Sequence, residues 1–152
     1  MIYFDTSILV AYYVPEALSA QAEARLREAS IVAISELTHA EFVSALALRH
    51  RRAELSLSDA QQIAALFAKH LTEGLYQSVP LSSGVYRLAR DYIARFDLPL
   101  KAPDALHLAA AATERLPLVT ADRQLARNAA ALGIGVELLE PSAGPLAAAA
   151  TG

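Results

Sequence analysis

With 152 residues, 55% of them hydrophobic, the chain is long enough to bury the core of one domain and too short for two. Thirteen Lys and Arg against sixteen Asp and Glu give a net charge of -3, the wrong overall sign for holding a polyanion by bulk electrostatics. There is no cysteine, which excludes disulfides, thiolate metal sites and a cysteine nucleophile. The apolar runs stay short of the roughly 18 residues a membrane span needs. The stretch Leu9 to Val14 is not read as a signal peptide, because Asp5 precedes it and no basic residue does. A cytoplasmic protein is expected.

The first run, Ile2-Tyr3-Phe4, reads as a strand buried on both faces that stops at Asp5. Ser7 to Val14 suits a short helix ended by Pro15, and Ser19 to Ala29 is rich in strong helix formers. Ile31 to Ile34 is the next buried run, followed by a helix over about Glu36 to Arg51 with Ser35 as its cap. Ser58-Asp59-Ala60-Gln61 has capping-box spacing; Ile63, Leu66, Phe67 and Leu71 continue at helical spacing, and Gly74 is the stop.

Tyr76 to Val79 makes a third strand, and Ser82 or Ser83 opens a helix through Phe96. Pro103 fits the first position of a helix from Asp104 to Arg115. Leu118 to Thr120 is a fourth strand, Asp122 to Leu132 a helix stopped by Gly133, and Val136 to Leu138 a fifth strand. This alternation predicts an α/β fold, a three-layer α/β/α sandwich around a central, mostly parallel sheet. The domain is expected over residues 1–140, with residues 141–152, poor in periodicity and rich in Pro, Ala and Gly, as a flexible tail.

Four acids fall on this scaffold: Asp5, Glu41, Asp104 and Asp122. Each also has a structural reading. Asp5 and Asp122 are good helix caps, Asp104 complements a helix dipole, and Glu41 fits a capping box begun by Thr38. Glu41 strains its structural reading most, since Leu37, Ala45 and Leu48 on its helical face are apolar and a carboxylate facing inward needs a partner. In a βαβ sheet, strand ends and helix starts share one edge, so all four acids map to the same side. Two carboxylates about 5 Å apart repel by about 3 kcal/mol at an effective dielectric of about 20, so such a cluster calls for a cation. Oxygen-only ligands suit Mg²⁺ or Mn²⁺ and substrates that bring phosphate oxygens.

The set Asp5-Thr6-Ser7, Glu41 after Leu37-Thr38-His39-Ala40, Asp104-Ala105-Leu106-His107-Leu108-Ala109, and Thr120-Ala121-Asp122 before Arg123-Gln124-Leu125-Ala126 resembles a PIN domain, and in particular a VapC-type toxin ribonuclease. The resemblance spans roughly residues 1 to 140. It implies that Asp5, Glu41, Asp104 and Asp122 bind Mg²⁺ or Mn²⁺ and carry metal-assisted hydrolysis of RNA, with Ser7 and Thr120 orienting ligands or water. It also implies a homodimer and a small antitoxin covering the acidic pocket.

Among other polar residues, Arg49, Arg51, Arg52 and Lys101 are possible RNA contacts, against the alternative of solvated helix-end or loop charges. His107, one turn after Asp104, either contacts a ligand or a carboxylate of the site or packs in an Ala-rich helix, the favoured reading, and it is not read as a general base. Tyr12, Tyr13 and Tyr86 either stack on bases or pack. Two rivals remain: an aspartate-nucleophile phosphohydrolase, weakened because Ser7 stands where a second acid is needed, and a non-catalytic PIN-like module binding RNA or protein. A receiver-like phosphoacceptor domain ranks lower, since it does not require Glu41.

Overall fold

The computed structural model describes residues 1–141; the expected flexible tail lies almost wholly outside the described residues. Five strands form one sheet: β1 (Ile2–Phe4), β2 (Val32–Ser35), β3 (Tyr76–Val79), β4 (Leu118–Thr120) and β5 (Val136–Leu138). Their order is β3-β2-β1-β4-β5, and every neighbouring pair is parallel. The chain therefore steps outward from β1 to β3, returns across the sheet to β4, and steps outward again. β1 and β4 flank the point where the winding direction reverses, where open α/β sheets leave a crevice at the strand carboxyl ends.

Helices α1 (Thr6–Tyr13), α2 (Ser19–Glu28), α3 (Glu36–Arg51) and α4 (Leu57–Thr72) belong to the core on one sheet face. Helices α5 (Ser83–Ile93), α6 (Ala102–Thr113) and α7 (Arg123–Ala131) build the other. The period of two along β1 makes this division: Ile2 and Phe4 join the first core, and Tyr3 between them joins the second. Both cores are apolar, so the three central strands β1, β2 and β4 are buried on both faces, whereas the edge strands β3 and β5 are only partly covered.

Most expected elements form, with shifts at their ends. The cap of α4 is Ser56, whose Oγ accepts from Asp59 N at 3.0 Å, and not Ser58; the helix begins two residues before the capping-box pattern suggests. Pro103 is the second residue of α6 rather than the first. Gly74 and Gly133 follow α4 and α7 in the left-handed region, at φ +76° and +72°. Helices α3, α5 and α6 end instead through Ala53, Phe96 and Arg115 at similar positive φ, stops that no glycine announces. Tyr13 is a core residue: its hydroxyl contacts Tyr76 Oη at 2.9 Å and His70 Nδ1 at 2.6 Å, and its ring meets Phe42 and Phe67 edge-on. Tyr86 stays exposed.

Candidate active site

A cleft of about 360 Å³ opens at the carboxyl edge of the sheet, and all four acids line it. Asp5 ends β1 and caps α1. It is only 4% exposed. Its Oδ1 accepts from Ser7 Oγ at 2.6 Å and Ile8 N at 3.3 Å, and its Oδ2 accepts from Thr120 Oγ1 at 2.6 Å. Burial pushes this carboxyl above the usual carboxylate range, against the lowering influence of the Ser7 and Thr120 hydroxyls. A carboxylate offers about four lone-pair sites, so three protein donors leave one for a ligand.

Ser7 and Thr120 are both engaged with the protein on two sides. Besides donating to Asp5, Ser7 Oγ accepts from Ala121 N at 2.8 Å, and Thr120 Oγ1 accepts from Asp122 N at 2.9 Å. The two hydroxyls thus fasten the turn after β4 to the end of β1. Asp122 caps α7 through Oδ1, which accepts from Gln124 N at 2.7 Å and Leu125 N at 2.9 Å. Among the described residues its Oδ2 receives no hydrogen bond. Asp5 and Asp122 each combine two placements: one side chain caps a helix and lines the cleft.

Glu41 lies in the second turn of α3, and its side chain is 30% exposed rather than inward-facing. Its neighbours Ala45 and Leu48 do not enclose it; they line the same cleft, and Leu48 is exposed. The partner that a charge there requires is polar protein, not only a cation. Oε2 accepts from Thr6 Oγ1 and, at 2.6 Å, from His107 Nε2. Burial raises the Glu41 carboxyl, but the hydrogen bond and field of His107, with the Thr6 hydroxyl, outweigh it and hold the group below the usual range.

Asp104, in the first turn of α6, receives no hydrogen bond among the described residues. Burial raises its carboxyl first, and the charges of Asp122 and Glu41 raise it further, against partial relief from His107 and Lys101. This mutual repulsion is the electrostatic sign of acids brought close together.

Both readings of His107 hold, the carboxylate contact being the one sequence reasoning did not favour. The side chain is 3% exposed in the Ala-rich helix, as expected, and it also bonds Glu41 through Nε2 and Tyr3 Oη through Nδ1 at 2.8 Å. Tyr3 and Thr6 were not singled out. A tyrosine in a buried strand carries a signal of its own, since its hydroxyl must find a partner. Of the basic candidates, Arg49 is engaged by Glu16 at 2.8 Å and approaches Glu54 at 3.9 Å, whereas Arg51, Arg52 and Lys101 are exposed.

Among the described residues, no three His, Asp or Glu side chains converge closely enough to hold an ion by themselves. Mg²⁺ does not need that, because it keeps several waters and takes one or two carboxylates. The open oxygens of Glu41, Asp104 and Asp122, all hard donors, fit such a hydrated cation.

The PIN domain family model matches residues 2–131, and the chain belongs to that family. Its solved structural neighbours include VapC toxins of VapBC toxin-antitoxin systems. Among them is VapC20 from Mycobacterium tuberculosis, described as a sarcin-ricin loop cleaving toxin, with TM-score 0.67 and 18% identity over 88% of this chain and 96% of that one. A toxin-antitoxin complex from Klebsiella pneumoniae matches at TM-score 0.62 and 22% identity, covering 93% and 98% of the two chains. VapBC2 from Rickettsia felis, bound to a DNA fragment from its promoter, gives TM-score 0.63 and 19% identity, covering 92% and 100%. At these identities the likeness is one of fold. No curated protein sequence matches. Among the described residues, no helix is long and apolar enough to cross a membrane.

Proposed function

We propose that the protein is a Mg²⁺- or Mn²⁺-dependent endoribonuclease acting in the cytoplasm as the toxin of a toxin-antitoxin pair. The observation that carries this reading is the convergence of four carboxylates from sequence-distant elements on one cleft, three of them with oxygens that no donor among the described residues occupies. Glu41, Asp104 and Asp122 would hold a divalent cation there, which would supply Lewis-acid chemistry for activating water and balancing charge on the scissile phosphate. The chain's own part is positional. Glu41, Asp104 and Asp122 present their open oxygens to the cleft, and Asp5, locked by Ser7 and Thr120, fixes the floor between β1 and β4.

RNA as substrate draws support from the sarcin-ricin loop cleaving toxin of the same fold, and a cognate antitoxin from the toxin-antitoxin complex; a second copy of the chain as partner rests on the family resemblance. The phosphohydrolase rival loses ground, because a nucleophilic Asp5 would have to attack while almost fully buried under three donors. The test is cleavage of RNA by the purified protein with Mg²⁺ or Mn²⁺, using EDTA and Asp104→Asn as controls. Loss of cleavage in both controls is expected; cleavage surviving both would overturn the assignment. For the toxin role, growth arrest on expression should be relieved by a small protein encoded beside this one.

A further inference from the structure

His107 does not face the cleft as an open side chain. It is buried, and both ring nitrogens are used: Nε2 to Glu41 Oε2 at 2.6 Å, Nδ1 to Tyr3 Oη at 2.8 Å. The Tyr3 hydroxyl in turn donates to Ser35 Oγ at 2.9 Å. Ser35 is the cap of α3, the helix that carries Glu41. The contacts therefore close a ring through three elements: Ser35 at the start of α3, Tyr3 on β1, His107 on α6, and back to Glu41 on α3.

Where the bonds fall on Glu41 is informative. Both protein donors, Thr6 and His107, use Oε2, and among the described residues Oε1 accepts nothing. A glutamate has three side-chain torsions to fix, and a carboxylate tied at one oxygen presents the other in a defined direction. The imidazole is itself fixed by the Tyr3 hydroxyl, which is fully buried on a strand. A side-chain partner that orients a metal-ligating carboxylate commonly governs metal affinity without touching the metal.

We infer that His107 is a positioning residue for Glu41: anchored by Tyr3, it holds Oε2 so that Oε1 is presented to the cleft as a cation ligand. The inference rests on the metal-dependent reading above, with Glu41 as the group positioned.

Two measurements on the full-length chain test it. In the metal-free protein, imidazole NMR should show a slowly exchanging His107 Nε2–H proton that shifts in Glu41→Gln and exchanges faster in Tyr3→Phe. Calorimetric titration with Mn²⁺ should then show affinity reduced roughly 10- to 100-fold in His107→Ala. His107→Gln, whose amide can still donate to Oε2, should recover most of the loss. An unprotected Nε2–H in the wild type, unchanged Mn²⁺ affinity in a folded His107→Ala, or a Gln variant as weak as Ala would each overturn the inference. If the wild type takes up no Mn²⁺, it is the metal-dependent reading that fails, while the imidazole spectrum still decides whether His107 holds Glu41.

Discussion

Thr120 Oγ1 donates to Asp5 Oδ2 at 2.6 Å, joining the ends of two neighbouring parallel strands whose residues lie 115 positions apart in sequence. The same oxygen accepts from Asp122 N, so one hydroxyl ties together two of the four site acids. Thr120→Val keeps the shape and removes both bonds. A buried carboxylate deprived of a donor costs about 1–3 kcal/mol, so thermal unfolding should move down by several degrees. Thr120→Ser should stay close to the wild type.

Asp104 is expected to show the opposite stability effect. It accepts no hydrogen bond among the described residues, and burial with the charges of Asp122 and Glu41 disfavours its ionised form more than His107 and Lys101 favour it, so Asp104→Asn removes strain and breaks no hydrogen bond. In metal-free protein this substitution should raise Tm by a few degrees while abolishing RNA cleavage, a trade of activity for stability. Calorimetric scans with EDTA, alongside a cleavage assay, check both halves.

The pH dependence follows from the same group. A carboxyl raised in the folded state binds its proton more tightly there than in the unfolded chain, so Asp104 makes the metal-free protein lose stability as pH rises through that raised range. Glu41, lowered by His107 and Thr6, contributes in the reverse sense: its stabilisation is present above the unfolded pKa and disappears as pH falls through the folded one. Protons should therefore compete with Mn²⁺ at a higher pH than for an ordinary aspartate. In Asp122→Asn the Asp104 part of that competition should shift to lower pH, measured as Mn²⁺ affinity against pH.

Arginines at the end of α3 should differ in their effect on RNA. Arg49 already spends its guanidinium on Glu16, whereas Arg51 and Arg52 are exposed. Replacing Arg51 and Arg52 by alanine should weaken RNA binding and flatten its salt dependence; replacing Arg49 should do neither. Filter binding at several salt concentrations distinguishes them. Arg49→Ala should also cost at most about 1 kcal/mol of stability, as partly exposed ion pairs do.

The strands, the main helices and the shared edge of the four acids were legible because each rests on local chemistry: short β-branched runs, caps and the geometry of parallel crossovers. The positions of Asp5, Glu41, Asp104 and Asp122 on one cleft follow from topology alone, without side-chain detail. The partners of those acids did not follow. That Glu41 would find His107, 66 residues later, depends on how α3 and α6 meet the sheet edge, and no periodicity encodes that meeting. The ends of α5 and α6 were obscured for a simpler reason: Phe96 and Arg115 adopt a conformation that glycine would have advertised.

The double use of Asp122 has a consequence for how such a protein changes over generations. The cap on α7 needs only a side-chain oxygen accepting from Gln124 N and Leu125 N, and asparagine supplies one as well as aspartate does. A single Asp122→Asn change can thus discharge this wall of the cleft and leave the helix start intact. On the proposed reading, loss of cutting and loss of folding would be separable by one atom, an easy exit into relatives that keep the whole architecture without the chemistry.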